Sequence, residues 1–187
     1  RRGRIGFAAG ALAVLLVGGA GVATAPDGFG AWSIEEPVGA VSFTMSNGFE
    51  CELRFSGYRN GPDPAFLSEV NRTLDEWYRT TDVVGEAQSL VPERQEEYLA
   101  LRSPEERTEL DRQLAELSPQ ERAEAIAHNE FADEWTAWTL VVADLEAQAL
   151  RDAGFAVPDP RFVGSDASSQ IQCFEGDGRL NDFGAGS

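Results

Sequence analysis

The chain has no lysine, a single histidine (His128), a single methionine (Met45) and two cysteines (Cys51 and Cys173) in 187 residues. Each shortage removes a class of chemistry. Without lysine there is no Schiff-base nucleophile and no phosphate-loop lysine. With one histidine, any Ser-His-Asp arrangement has to use His128, and no Gly-x-Ser-x-Gly context accompanies it. Neither His-Glu-x-x-His nor Glu-x-x-His occurs. Positive charge is also scarce: 15 arginines face 32 acids, a formal net charge of −17. A nucleic-acid partner held through its phosphates needs clustered cations, so that class is excluded, and adhesion to anionic lipid is disfavoured for the same reason. The cysteines are too far apart for a Cys-x-x-Cys redox pair.

What is present begins with a targeting pattern. Arg1, Arg2 and Arg4 precede Ile5 to Ala25, which carry no charge over 21 residues. A basic start, an apolar run and Ala23-Thr24-Ala25 as a small-x-small cleavage site read as a secretory signal. If the segment is not cleaved, it is long enough to anchor the chain in a membrane through residues 5–25. Either outcome places residues 26–187 outside the cytoplasm, secreted or anchored to the cell membrane, with 12 arginines against 32 acids and a charge of −20. Residues 26–37, containing Gly and Pro, read as a linker.

Val38 to Tyr58 carry the β signal. Val41, Phe43 and Met45 alternate with polar residues, as do Phe49, Cys51, Leu53 and Phe55, with Asn47-Gly48 marking a turn between them. A two-residue loop would set apolar residues of one strand against polar residues of the other. A three-residue loop, Ser46 to Gly48, pairs Met45 with Phe49, Phe43 with Cys51 and Val41 with Leu53, so all the apolar side chains share one face. The second register is the expected one, with Gly48 left-handed. Cys51 then points inward. Cys173 lies in a second short strand pattern, Ser169 to Phe174, and two cysteines in an exported domain predict one disulfide, Cys51–Cys173.

The remainder reads as helix. Phe66, Val70, Leu74 and Trp77 form one stripe, interrupted around Thr80 to Gly85. Arg102-Ser103-Pro104-Glu105-Glu106-Arg107 is echoed by Leu117-Ser118-Pro119-Gln120-Glu121-Arg122. Each has Ser as N-cap, Pro in the first turn and Glu closing a capping box, so each starts a helix, and residues 92–117 read as two short helices. Arg112 and Arg122 are expected on solvated faces. Over residues 119–153, Phe131, Trp135, Trp138, Val142 and Leu145 share one side of a long helix and are expected to form the centre of the core. Gly154 ends that helix, and residues 177–187 read as a flexible tail.

Leu117 to Arg122 resembles the Leu-Thr-Pro motifs of small periplasmic helical stress chaperones of the Spy and CpxP type, over about 20 residues. That resemblance implies a helical envelope stress chaperone. The layout as a whole resembles uncharacterised envelope proteins of high-GC Gram-positive bacteria, which implies a location but no activity.

Several acids suggest chemistry. Glu124 and His128 lie one turn apart on a helix face, the beginning of a metal site with no third ligand in view. Glu130 and Glu134, also one turn apart and next to Trp135, could serve carboxylate-based glycoside hydrolysis with a sugar stacked on the indole. The expectation is an α+β domain over residues 38–176: a small antiparallel sheet (hairpin plus C-terminal strand) packed on a helical layer and tied by one disulfide. Its expected role is non-enzymatic, binding a protein partner or small ligand at the envelope, with no cofactor, no metal and no catalytic residue assigned. Glu124, His128, Glu130, Glu134 and Trp135 are the candidate acid or ligand surface. A cell-wall glycan hydrolase and a stress chaperone are the alternatives.

Overall fold

The hairpin forms in the expected register. In the computed structural model, which describes residues 20–22 and 32–174, β2 (Gly39–Thr44) pairs antiparallel with β3 (Glu50–Phe55), Phe43 opposite Cys51 and Val41 opposite Leu53. Met45 N–H donates to the Phe49 carbonyl at 2.9 Å, and Gly48 turns the chain at φ 87°. That backbone conformation strains any residue with a Cβ, so the loop needs glycine there. β4 (Ala167–Phe174) pairs antiparallel with β3 and sets Cys173 directly opposite Cys51. The two sulfurs are bonded, with the Cα atoms 4.0 Å apart. The disulfide is therefore a cross-strand brace in mid-sheet. A fourth strand, β1 (Ala20–Val22), was not expected; it lies parallel to β4 at the sheet edge, giving the order β1-β4-β3-β2. The rest of the expected signal or anchor segment, and the expected tail, lie outside the described residues.

Trp32 to Ile34, in the stretch read as a linker, reach the sheet's other face. Gln170 Oε1 accepts from Ser33 N–H at 2.8 Å, the Arg54 guanidinium lies 3.8 Å over the Trp32 ring, and Ile34 is buried.

Of the four helices among the described residues, the first, second and fourth pack on the apolar face of the sheet and the third joins the second to the fourth, which makes the fold α+β. α1 (Pro64–Thr80) starts at Asp63, whose carboxylate accepts from Phe66 N–H at 3.0 Å, and buries Phe66, Leu67, Val70 and Leu74. α2 (Val83–Ala100) corrects the expectation that a helix begins at Pro92. Asp82 caps the helix by accepting from Gly85 N–H, and Pro92 sits inside it. An internal proline costs about 3 kcal/mol, but here it is on the wet side. Pro92 and Gln88, whose carbonyl the proline leaves unpaired, are both exposed, while Val83, Ala87 and Val91 are buried on the opposite face.

α3 (Pro104–Glu116) and α4 (Pro119–Asp152) start where the two echoed motifs predict, each with a complete capping box. The arginine ending each motif has a use that was not expected. Arg107 donates to the Ala100 carbonyl at the end of α2 and to the Arg102 carbonyl just beyond it, and Arg122 donates to the Leu114 and Ala115 carbonyls at the end of α3. Arg122 is thus not merely solvated, because the last carbonyls of a helix run short of intrahelical partners and its guanidinium bonds two of them. Each motif starts one helix and finishes the one before it. Arg112 does keep to the surface, pairing with Glu109 and Glu116 at 2.6 and 2.5 Å.

The core centre is narrower than the expected stripe. Trp138 and Val142 are buried, together with Ala137 and Val141 from the adjacent face, whereas Phe131, Trp135 and Leu145 pack half-buried around its rim. Trp138 stacks on Phe43, ring centroids 3.9 Å apart. α2 packs beside α4 against the same sheet face. A second cluster joins Phe66, Leu67, Val70 and Leu74 of α1 to Leu150 of α4 and to Phe162 in the 3-10 turn Pro160–Phe162. Gly154 follows α4 as expected, and Phe155 returns to pack on Phe66. No helix among the described residues is long and apolar enough to cross a membrane.

Replacing both cysteines by alanine releases a constraint on a separation of 122 residues. Chain entropy puts that at about 4–5 kcal/mol, with less realised where the unfolded chain keeps structure. The expected outcome is a clear fall in the urea midpoint of the double variant; an unchanged midpoint would show that the brace adds nothing.

Candidate functional site

α4 is longer than the core requires. It buries no residue before Ala137, and none of the residues of α3 is buried. α3 and the first half of α4 therefore stand off the sheet as a two-helix arm. The arm carries Glu124, His128 and Glu130, all exposed. From Glu124 to Ala137 is about 20 Å of helix, at about 1.5 Å per residue. Glu124 accepts from Gln120 Nε2 at 3.0 Å. Among the described residues there is no group of three or more side chains able to hold a metal, so Glu124 and His128 gain no third ligand from them.

Glu134 lies where the arm meets the sheet, and its carboxylate closes the hairpin. Oε1 accepts from Ser46 N–H at 2.9 Å and Oε2 from the Ser46 hydroxyl at 2.5 Å. Glu130 remains exposed, and Trp135 packs half-buried on the core rim. The two glutamates share a helix, yet one is bonded to the turn and the other faces water, and no cleft described here contains both.

Grooves do occur among the described residues, and two bear on function. The smaller, about 270 Å³, lies at the base of the arm between Tyr98, Leu101, Arg102, Glu106, Leu110 and Asn129. Leu101 is 79% exposed at its edge. Beneath it Arg102 pairs with Asp133, whose carboxyl burial pushes upward against the opposing pull of the guanidinium. The larger groove, about 480 Å³, runs between α1 and the C-terminal part of α4, with Trp77, Leu145 and Ala149 as its walls and Glu76, Glu86 and Asp152 among its charged residues.

One partly buried acid escaped the sequence reading. Glu146 follows Val142 and precedes Leu150 by one turn each, so it lies on the apolar side of α4, and Tyr78 of α1 donates its hydroxyl to Glu146 Oε1 at 2.7 Å. Burial raises the carboxyl to about 7, although the tyrosine hydrogen bond lowers it. Burial, with Glu146 nearby, pushes Tyr58 up to about 12 and Tyr78 well above its ordinary value. The Tyr78 ring lies against Gly39, where an added Cβ would be 2.0 Å from ring carbons. The pair thus ties α4 to α1 directly over the start of β2. The apolar spacing around Glu146 was the available signal, since an acid four residues from two buried positions has to find a partner.

The chain matches no protein-family model, no curated protein and no solved structure. The functional reading therefore rests on this chain's own geometry.

Two outcomes follow from the site. Glu146 binds its proton more tightly in the folded chain than in the unfolded one, where the ordinary value is 4.5. Its contribution is full below pH 4.5, declines as pH rises towards about 7, and is then constant, a change of at most about 3 kcal/mol. Chemical denaturation between pH 4.5 and 8 should show stability falling across that window in the native chain relative to Glu146→Gln; parallel curves would overturn the assignment. Separately, Glu134→Ala leaves the Ser46 N–H without its acceptor and should cost about 1–2 kcal/mol in urea unfolding, against little for Glu134→Gln.

Proposed function

We propose that this is a non-enzymatic extracytoplasmic protein that binds a partner at the cell envelope. The observation that carries the reading is the arm. α3 has no buried residue, and the helices extend well past the sheet that they cover. Each arm junction is nevertheless closed by a capping box and an arginine fork. A two-helix extension with no buried residue before Ala137, yet with well-finished helix ends, is explained by what it presents to other molecules. Ile126 on the arm and Leu101 at its base, 40% and 79% exposed, are apolar residues open to a partner.

The extracytoplasmic part of the reading is supported by the Cys51–Cys173 bond, which persists in oxidising compartments, and by the Arg-led apolar segment at residues 1–25. A glycan hydrolase would need Glu134 free to act, and its bonds to Ser46 argue against that role.

Photo-crosslinking residues placed at Leu101 and Ile126 in living cells test this. The expected result is one discrete adduct from both positions and none from Val163, which is 73% exposed beyond the far end of α4. Glu130→Gln should leave adduct and phenotype intact. No adduct from the arm, or a phenotype lost with Glu130→Gln while the adduct persists, would overturn the reading.

A further inference from the structure

The larger groove has a composition that selects a ligand class. Its apolar lining comes from Leu145, Ala149 and Ala153 together with the half-buried Trp77 indole. Three carboxylates, Glu76, Glu86 and Asp152, stand around it against one guanidinium, Arg72. Glu76 is shared with Arg79 at 2.7 Å, and Asp152 accepts from Gln148 at 2.7 Å. Glu86, at the first turn of α2, makes no side-chain ion pair or hydrogen bond among the described residues. An indole face attracts a cation over its ring, and carboxylates beside it add to the same preference. About 480 Å³ suits one or two long side chains rather than a folded surface. The whole chain, at −17, draws cationic segments towards it and repels a second copy of itself.

We propose that this groove seats an arginine- or lysine-bearing segment of a partner protein, the basic head between Glu86 and Asp152 and its aliphatic stem along Trp77 and Leu145. This deepens the partner-binding reading and rests on it, by naming the chemistry that the partner brings. The groove lies at the opposite end of α4 from the arm, so a partner of sufficient length would engage both.

The test titrates the full chain with an acetylated, amidated tetra-arginine peptide, following the indole N–H resonances, with Trp77 assigned through Trp77→Phe. The expected result is a saturable shift of Trp77 with Trp138 unmoved, no shift with a tetra-glutamate peptide, and a loss of affinity of about threefold for Glu86→Gln. The triple variant Glu76→Gln, Glu86→Gln, Asp152→Asn should lose the shift. A control variant, Glu105→Gln, Glu109→Gln, Glu116→Gln on α3, removes the same charge elsewhere and should bind nearly as the native chain does. Absence of a Trp77 shift, or equal loss in the two triple variants, would overturn the proposal. An adduct from the arm in cells without a Trp77 shift would overturn the groove alone and leave the partner-binding reading standing.

Discussion

Phe43 of β2 and Trp138 of α4 meet ring to ring at 3.9 Å, and this contact fixes how the sheet sits on the helices. Around it the inward side chains of the hairpin, Val41, Met45, Leu53 and Phe55, meet Ala137, Val141 and Val142 of α4 and Val83, Ala87 and Val91 of α2. Each large apolar side chain so buried contributes about 1.5–3 kcal/mol. Ala137, fully buried beside Trp138, adds a small side chain to the same cluster. The indole Nε1 has no acceptor among the described residues, a cost of about 1–3 kcal/mol set against the burial of the entire ring.

The disulfide and the Tyr78–Glu146 pair secure the two sides of this contact in different ways. Cys51–Cys173 joins neighbouring strands and acts mainly on the unfolded chain, by shortening the loop between residues 51 and 173. Tyr78–Glu146 acts in the folded state: it joins α1 to α4 beside Gly39, and one hydrogen bond satisfies a partly buried carboxyl. A protein with so many acids has few places to put one safely away from water. Here Glu146 is held by a phenol, and Asp133 and Asp159 are each held by a guanidinium. Most of the others face solvent, where their i,i+3 and i,i+4 pairs with arginine contribute little.

The echoed Ser-Pro-x-Glu-Arg motifs show why a resemblance in helix-start sequences says little about activity. Both are accounted for by local backbone needs: a hydroxyl for an orphan N–H, a proline that lacks one, a glutamate returning to the cap, and an arginine for the carbonyls of the preceding helix. Any chain that turns one helix sharply into another has reason to use them.

The hairpin register, the disulfide, the starts of α3 and α4 and the end of α4 at Gly154 were legible because each depends on residues close in sequence or, for the cysteines, on there being only two. Alternation with period two leaves one register with a single apolar face, and capping boxes act over four residues. Other features depended on what came to lie alongside. Pro92 reads as a break, yet it is accepted inside α2 because the face opposite it is buried. Glu134 and Glu130 look equivalent along the chain, and only the approach of Ser46 separates them. Glu146 carries the spacing of a buried residue, but its proton affinity is set by Tyr78 and the surrounding burial. The Trp77 groove joins residues from three helices and has no sequence pattern at all. Local backbone chemistry was thus determined by sequence alone, while the environment of each charge was decided by tertiary structure, because desolvation and partner distance exist only once distant segments pack.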